Sequence, residues 1–172
     1  LLLLGGLETS TALLTNLLWR LLEDRTRWEA LQADASLIDV AVEESLRFDP
    51  PVLGLFRTTT RETELHGVTI PAKAKVMVCY ASANRDPAQF PDADRCVLDR
   101  RENRHLGFGA GVHRCLGSNL ARLEFQVALE QVLSRMPDYT LAPGAAAVFH
   151  GNSVTRGFRS IPVVFTPGPR VS

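Results

Sequence analysis

The sequence has no excess charge, few cysteines and no long apolar run, and each shortage closes off a class of function. Basic and acidic residues both number 19, so the net charge is zero. No basic stretch stands out, and a nucleic-acid partner, which requires a basic face, is not expected. Cysteine occurs three times, at positions 79, 96 and 115, without a CxxC pair. That spacing supplies neither a disulfide framework nor a zinc knuckle, and it suits a reducing, cytoplasmic setting. The apolar run that opens the chain reaches only Leu7 before Glu8, too short to cross a bilayer. No basic region precedes it, so it does not read as a signal peptide. No membrane segment is therefore expected in this chain. What remains is 172 residues, 45% apolar, enough for about one domain. The chain carries no initiator methionine and reads as though it opens inside a helix.

One stretch concentrates the unusual residues. Between His105 and Gly117 lie four of the twelve glycines, two of the four histidines and Cys115. Glycine lets backbone approach a flat or bulky partner, because no Cβ intervenes. From about residue 118 to 136 the chain reads as a helix. Leu116, Leu120, Leu123 and Val127 recur at helical spacing, as do Phe125, Leu129, Val132 and Met136. Pro137 stops it. Cys115 thus stands just before a helix start, whose positive end suits an anionic sulfur. His113 and Arg114 add positive charge. A free cysteine is most often a small buried hydrophobe. The alternative is a thiolate ligand beneath a planar cofactor, as a haem-thiolate centre requires.

The rest of the chain supplies further candidates. Residues 1–23 read as a mostly apolar, buried helix, interrupted by Gly5-Gly6-Leu7-Glu8-Thr9. The glycines mark either a helix–helix contact or a close approach to something else. Residues 25–33 form a short helix with Trp28 and Leu31 as its apolar contacts. Ser36 is a candidate N-cap, with Asp39 three residues on. The helix that follows runs to about Phe48 and ends at Pro50-Pro51. It contains Glu44 and Arg47, three apart on one face, which alone would read as a surface pair. Residues 55–60, 64–70 and 75–80 have β character, punctuated by Gly67 and Pro71, and Arg57 lies in the first. Residues 90–104 lack periodicity. Residues 139–141 and 160–166 read as strands, and 148–158 as the connection between them.

Phe108-x-x-Gly111-x-x-x-Cys115-x-Gly117 resembles the haem-binding signature of the cytochrome P-450 family, position for position. The family's other landmarks occur in order. Gly5, Gly6, Glu8 and Thr9 resemble the glycine–acid–threonine motif of its distal helix. Glu44-x-x-Arg47 resembles its ExxR pair. Ala83-Asn84-Arg85-Asp86-Pro87 resembles a further, structural stretch. Two departures occur in the irregular segment. Cys96 stands where an aromatic is usual and Ala93 where proline is common, which implies looser packing there.

The resemblance implies a mainly α fold with small β-sheets, an α+β class. Residues 1–172 would be a single partial domain, the carboxyl-terminal haem-binding part of a longer chain. The implied cofactor is haem b, with Cys115 as the axial ligand to the iron. Phe108, Gly109, Gly111 and Gly117 would frame it. Arg57, His105 and His113 would meet its propionates. Glu8 and Thr9 would manage protons. Glu44 and Arg47 would be a buried structural pair, locked by Arg95. The implied activity is that of a monooxygenase acting with O₂ on a small organic substrate, with electrons from a ferredoxin or flavoprotein. A peroxide-driven haem enzyme and a non-catalytic fragment that binds haem weakly or not at all are the alternatives. The chain alone is expected not to turn over.

Overall fold

The computed structural model describes residues 2–167; position 1, counted above in the first helix, lies outside them. The fold is the expected α+β one. Helix α1 spans Leu2–Glu23, α2 Arg25–Ala33, α3 Ile38–Phe48 and α5 Ser118–Arg135. A four-residue helix, α4 (Tyr80–Ala83), was not foreseen. Around the helices lie antiparallel strand pairs. Strand β1 (Leu55–Thr58) pairs with β4 (Lys75–Val78), and β2 (Thr63–Leu65) with β3 (Val68–Ile70) between them. Strand β5 (Thr140–Leu141) pairs with β8 (Val163–Val164).

Two local readings are corrected. Residues 148–158 are not a bare connection. They form a hairpin of β6 (Val148–Gly151) and β7 (Arg156–Ser160). Ser36 is not an N-cap. It lies within a single 3₁₀ turn, Ala35–Leu37, capped by the Asp34 carboxylate, which accepts from the Ser36 amide at 2.9 Å.

The core joins α1, α2, α3 and α5. Leu17, Leu21, Trp28, Leu31, Ile38, Leu129 and Leu133 bury together with Tyr139. Burying a large apolar side chain contributes about 1.5–3 kcal/mol, and these residues tie the helices into one body. The chain leaving α5 is clamped: Trp28 donates to the Pro137 carbonyl at 2.9 Å, and the Tyr139 hydroxyl to the Leu18 carbonyl at 2.7 Å. Among the described side chains of α1 the buried ones lie in its second half, whereas Gly5, Gly6, Leu7 and Glu8 are exposed. On α5 the periodicity is right but one apolar row, Leu116, Leu120, Leu123 and Val127, is exposed.

The irregular segment is held by an ion cluster on α3. Glu44 and Arg47 are both fully buried. Arg47 donates through Nε and Nη2 to Glu44, at 2.7 Å each. Its remaining N–H groups reach the carbonyls of Asn84, Ala93 and Arg95. The expectation for Arg95 is thereby corrected, because it contributes its carbonyl while its side chain is exposed. The second guanidinium on Glu44 is that of Arg100, at 3.1 Å, and Asn103 and the Val97 amide also donate to this carboxylate. The expected loosening is absent too. Ala93 and Cys96 are both buried, Cys96 in the main core, since small side chains fill the space beside the cluster.

Removing one partner of a buried pair costs about 3–5 kcal/mol, because the other charge is left unpaired. Glu44→Ala should therefore lower the urea midpoint of the chain sharply or abolish soluble expression. Arg95→Ala, which keeps the carbonyl, should stay near the parent midpoint.

Candidate functional site

The cysteine loop is closed by its own backbone. The Cys115 amide donates to the Phe108 carbonyl at 2.9 Å, and the Gly109 amide to that of Leu106 at 2.8 Å. Gly109 and Gly111 sit at φ +68° and +66°, which side-chain-bearing residues rarely adopt. Gly107 is required for another reason: a Cβ there would lie 2.6 Å from the Leu46 carbonyl of α3. Cys115 ends the loop three residues before α5 and is exposed. Around it Val112 and Leu116 are almost fully exposed, and a Cβ at Gly111 would meet nothing within 4 Å.

Two side chains that the sequence reading did not single out, Glu43 and Arg122, hold this loop together with His105 and Asn84. Glu43 accepts from His105 Nε2 at 3.0 Å and from Arg122 Nη2 at 3.0 Å. His105 Nδ1 accepts from the Gly107 amide at 3.0 Å, so the ring hydrogen is on Nε2. Arg122 also lies over the Phe108 ring, 4.7 Å from its centroid. Asn84 accepts from the Leu106 amide at 2.6 Å and donates to the Leu46 carbonyl. Phe108 itself packs on a second cluster of Leu13, Val42, Leu46 and Phe125. The loop is thus pinned to α3 and α5, and through Leu13 to α1. The adjacent acids in the sequence, and Arg122 one turn into α5, were the available signal.

His105 departs from its expected role. Both its nitrogens are committed to Glu43 and Gly107, and its side chain is only 4% exposed. It fastens the loop instead of facing outward. His113 and Arg57 are exposed, and Arg57 donates only to the neighbouring Phe56 carbonyl among the described residues.

On α1, Gly5 and Gly6 face open space, with nothing within 4 Å of a Cβ at either. No helix–helix contact among the described residues explains them. The Thr9 hydroxyl donates back to the Gly5 carbonyl at 2.6 Å. Its hydrogen is therefore used, and its oxygen presents lone pairs. Glu8 beside it is exposed.

These features fit a haem. A thiol stands clear at the end of a glycine loop with apolar neighbours, and two cationic side chains are exposed. Among the described residues no cluster of histidine, cysteine and carboxylate side chains could otherwise hold a metal ion. The family model described as cytochrome P450 matches residues 21–137.

The chain belongs to the cytochrome P450 family. Its relatives include the steroid C26-monooxygenase of Mycolicibacterium smegmatis, 43% identical across 99% of this chain and 43% of that protein. The P450 monooxygenase PikC of Streptomyces venezuelae is 39% identical, over 97% of this chain and 41% of its own. Among solved structures, CYP109E1 of Bacillus megaterium with testosterone superposes at TM-score 0.91 and 32% identity, over 94% of this chain and 45% of that one. The chain thus spans less than half the length of the P450s it matches. The cofactor of the family is haem b. No helix among the described residues is long and apolar enough to cross a membrane.

Two outcomes follow. Burial, then the nearby Glu44 charge, push the Cys96 thiol up to about 11, whereas Cys79 and Cys115 are exposed. A thiol reagent at neutral pH should label Cys79 and Cys115 quickly and Cys96 only on unfolding, and added haem should protect Cys115 alone. Mass spectrometry of the labelled peptides checks this.

The second concerns Glu43. Burial works against its carboxylate, but hydrogen bonds from His105 and Arg122 and the Arg122 charge outweigh it. They bring the carboxyl from 4.5 to about 2. A lowered folded value stabilises above the unfolded value and is lost as pH falls through the folded one. Glu43→Gln should therefore be less stable at neutral pH. It should also lose less stability than the parent between pH 4.5 and 2, measured by urea unfolding across that range.

Proposed function

We propose that this chain is the carboxyl-terminal haem-binding part of a P450 monooxygenase that inserts one oxygen atom of O₂ into an organic substrate. The observation that carries the proposal is the exposed Cys115 at the end of a closed glycine loop anchored on α3 and α5. When bound through a thiolate, haem supplies the electron push that favours O–O cleavage.

The chain's own residues do the rest. Cys115 would hold the haem iron through its thiolate. Gly109, Gly111 and Gly117 would leave room for the ring, and Phe108 packs the loop onto the core. Arg57 and His113 would hold the propionates; an arginine fork suits a carboxylate bidentately. His105 belongs to the support beneath them. Thr9, its hydrogen spent on Gly5, accepts from a water and holds it beside the open space at the glycines. Glu8, exposed to solvent, passes protons inward. The relatives' names, a steroid monooxygenase in one case and an erythromycin hydroxylase in another, support a bulky organic substrate. Electrons would come from a ferredoxin or flavoprotein, and the setting would be cytoplasmic.

The test is made on the haem-loaded full-length protein. Cys115→Ser should lose the thiolate-type absorption of the reduced carbon monoxide complex, while Cys79→Ser keeps it. Thr9→Ala should lower product formed per electron consumed several-fold, with the balance released as peroxide or water. An unchanged spectrum in Cys115→Ser would overturn the ligand assignment.

A further inference from the structure

The β6–β7 hairpin docks on α1 at one close contact. A Cβ on Gly157 would lie 2.8 Å from the Ala12 side chain, so only glycine allows the strand this near. The Trp19 and Phe158 rings, 5.3 Å apart, and the Asn16 amide on the Arg156 carbonyl continue the contact along the helix. A backbone bond from the Arg156 amide to the Pro51 carbonyl, 2.9 Å, fixes the hairpin from its other side.

This docking sets what faces the first turns of α1. His150 is the cross-strand partner of Gly157. Glu8 precedes Ala12 by one helical turn. The two side chains therefore meet: His150 Nε2 is 3.5 Å from Glu8 Oε1. They line a cleft of about 300 Å³ that Thr9, Thr155 and Phe158 also border. Its charged or titratable lining residues are Glu8 on α1, His150 on β6 and Arg156 on β7. The Arg156 guanidinium lies over the Phe149 ring, 5.3 Å from its centroid, which leaves His150 as the basic side chain at ion-pair distance from Glu8 among the described residues. Both partners are about half exposed, so protons exchange freely with solvent.

We infer that His150 is a positioning residue for the proton relay: its imidazolium holds the Glu8 carboxylate at the cleft beside Thr9. The inference rests on the proton role proposed above for Glu8. The hold is an ion pair only with the imidazolium form of His150. An arginine at this position would hold Glu8 at every working pH, and a glutamine would hold it weakly.

The contact is read first without haem. In the 172-residue chain with ¹³C-labelled glutamate, Glu8→Gln identifies the Glu8 carboxyl resonance. That resonance should shift in His150→Gln relative to the parent chain. A resonance that ignores His150 overturns the inference. The function is read on the haem-loaded full-length protein as product per electron consumed. His150→Ala should lower it several-fold. His150→Arg should restore it. If Glu8→Gln lowers coupling and His150→Ala does not, the relay stands and His150 has no part in it. If Glu8→Gln leaves coupling unchanged, the relay itself fails and the inference with it, even where the resonance shows the contact.

Discussion

Everything around the cysteine loop depends on the buried guanidinium of Arg47. It has five N–H groups, and each has an acceptor: two bonds go to Glu44 and one each to the carbonyls of Asn84, Ala93 and Arg95. Taking such a charge out of water costs several kcal/mol, which is recovered only when the geometry is good and every donor is satisfied. Lysine could not substitute, because a single ammonium lacks both the reach and the planar fork. The constraint works outward. The acceptors lie on two separate segments, and both must close on α3 before the charge is neutralised.

From this cluster the order passes to the sulfur by way of Asn84. Its carbonyl serves Arg47, and its side chain serves Leu46 and Leu106. The loop therefore begins from a residue already fixed against α3. Glu43, next to Glu44, performs a parallel task on the neighbouring side, binding His105 and Arg122. Two adjacent carboxylates thus divide the work, one holding the irregular segment and the other the loop. The result is a rigid base beneath an exposed thiol, which is what preorganised metal ligation requires.

Periodicity and breakers located the four long helices well, because α1, α2, α3 and α5 each bury one face and end at prolines or caps that are plain in the sequence. The loop was legible too, since glycines, an aromatic and a cysteine at fixed spacing carry their own signature. Partners were harder to see. Arg95 and Arg100 are indistinguishable as letters, and a backbone carbonyl leaves no mark on residue type, so the acceptor role of Arg95 was hidden. Asp34 and Ser36 are both good caps, and only the turn geometry chose between them. The β6–β7 hairpin escaped because Gly151 and Gly157 break its alternation. On α5, spacing identified two apolar rows without saying which one the core takes.

The segment between Pro91 and Asn103 has no ladder of its own. Its carbonyls at Pro91, Asp92, Ala93 and Arg95 and its Val97 amide are bound by side chains of Arg47, Arg100 and Glu44. A strand or helix can fray residue by residue, whereas this arrangement cannot, since releasing the carbonyls strands a buried charge. The segment and α3 therefore form one cooperative opening unit. The Val97 amide, bound to the buried Glu44 carboxylate, should therefore exchange as slowly as the amides of the helix this segment wraps, so that a position classed as coil behaves kinetically as core.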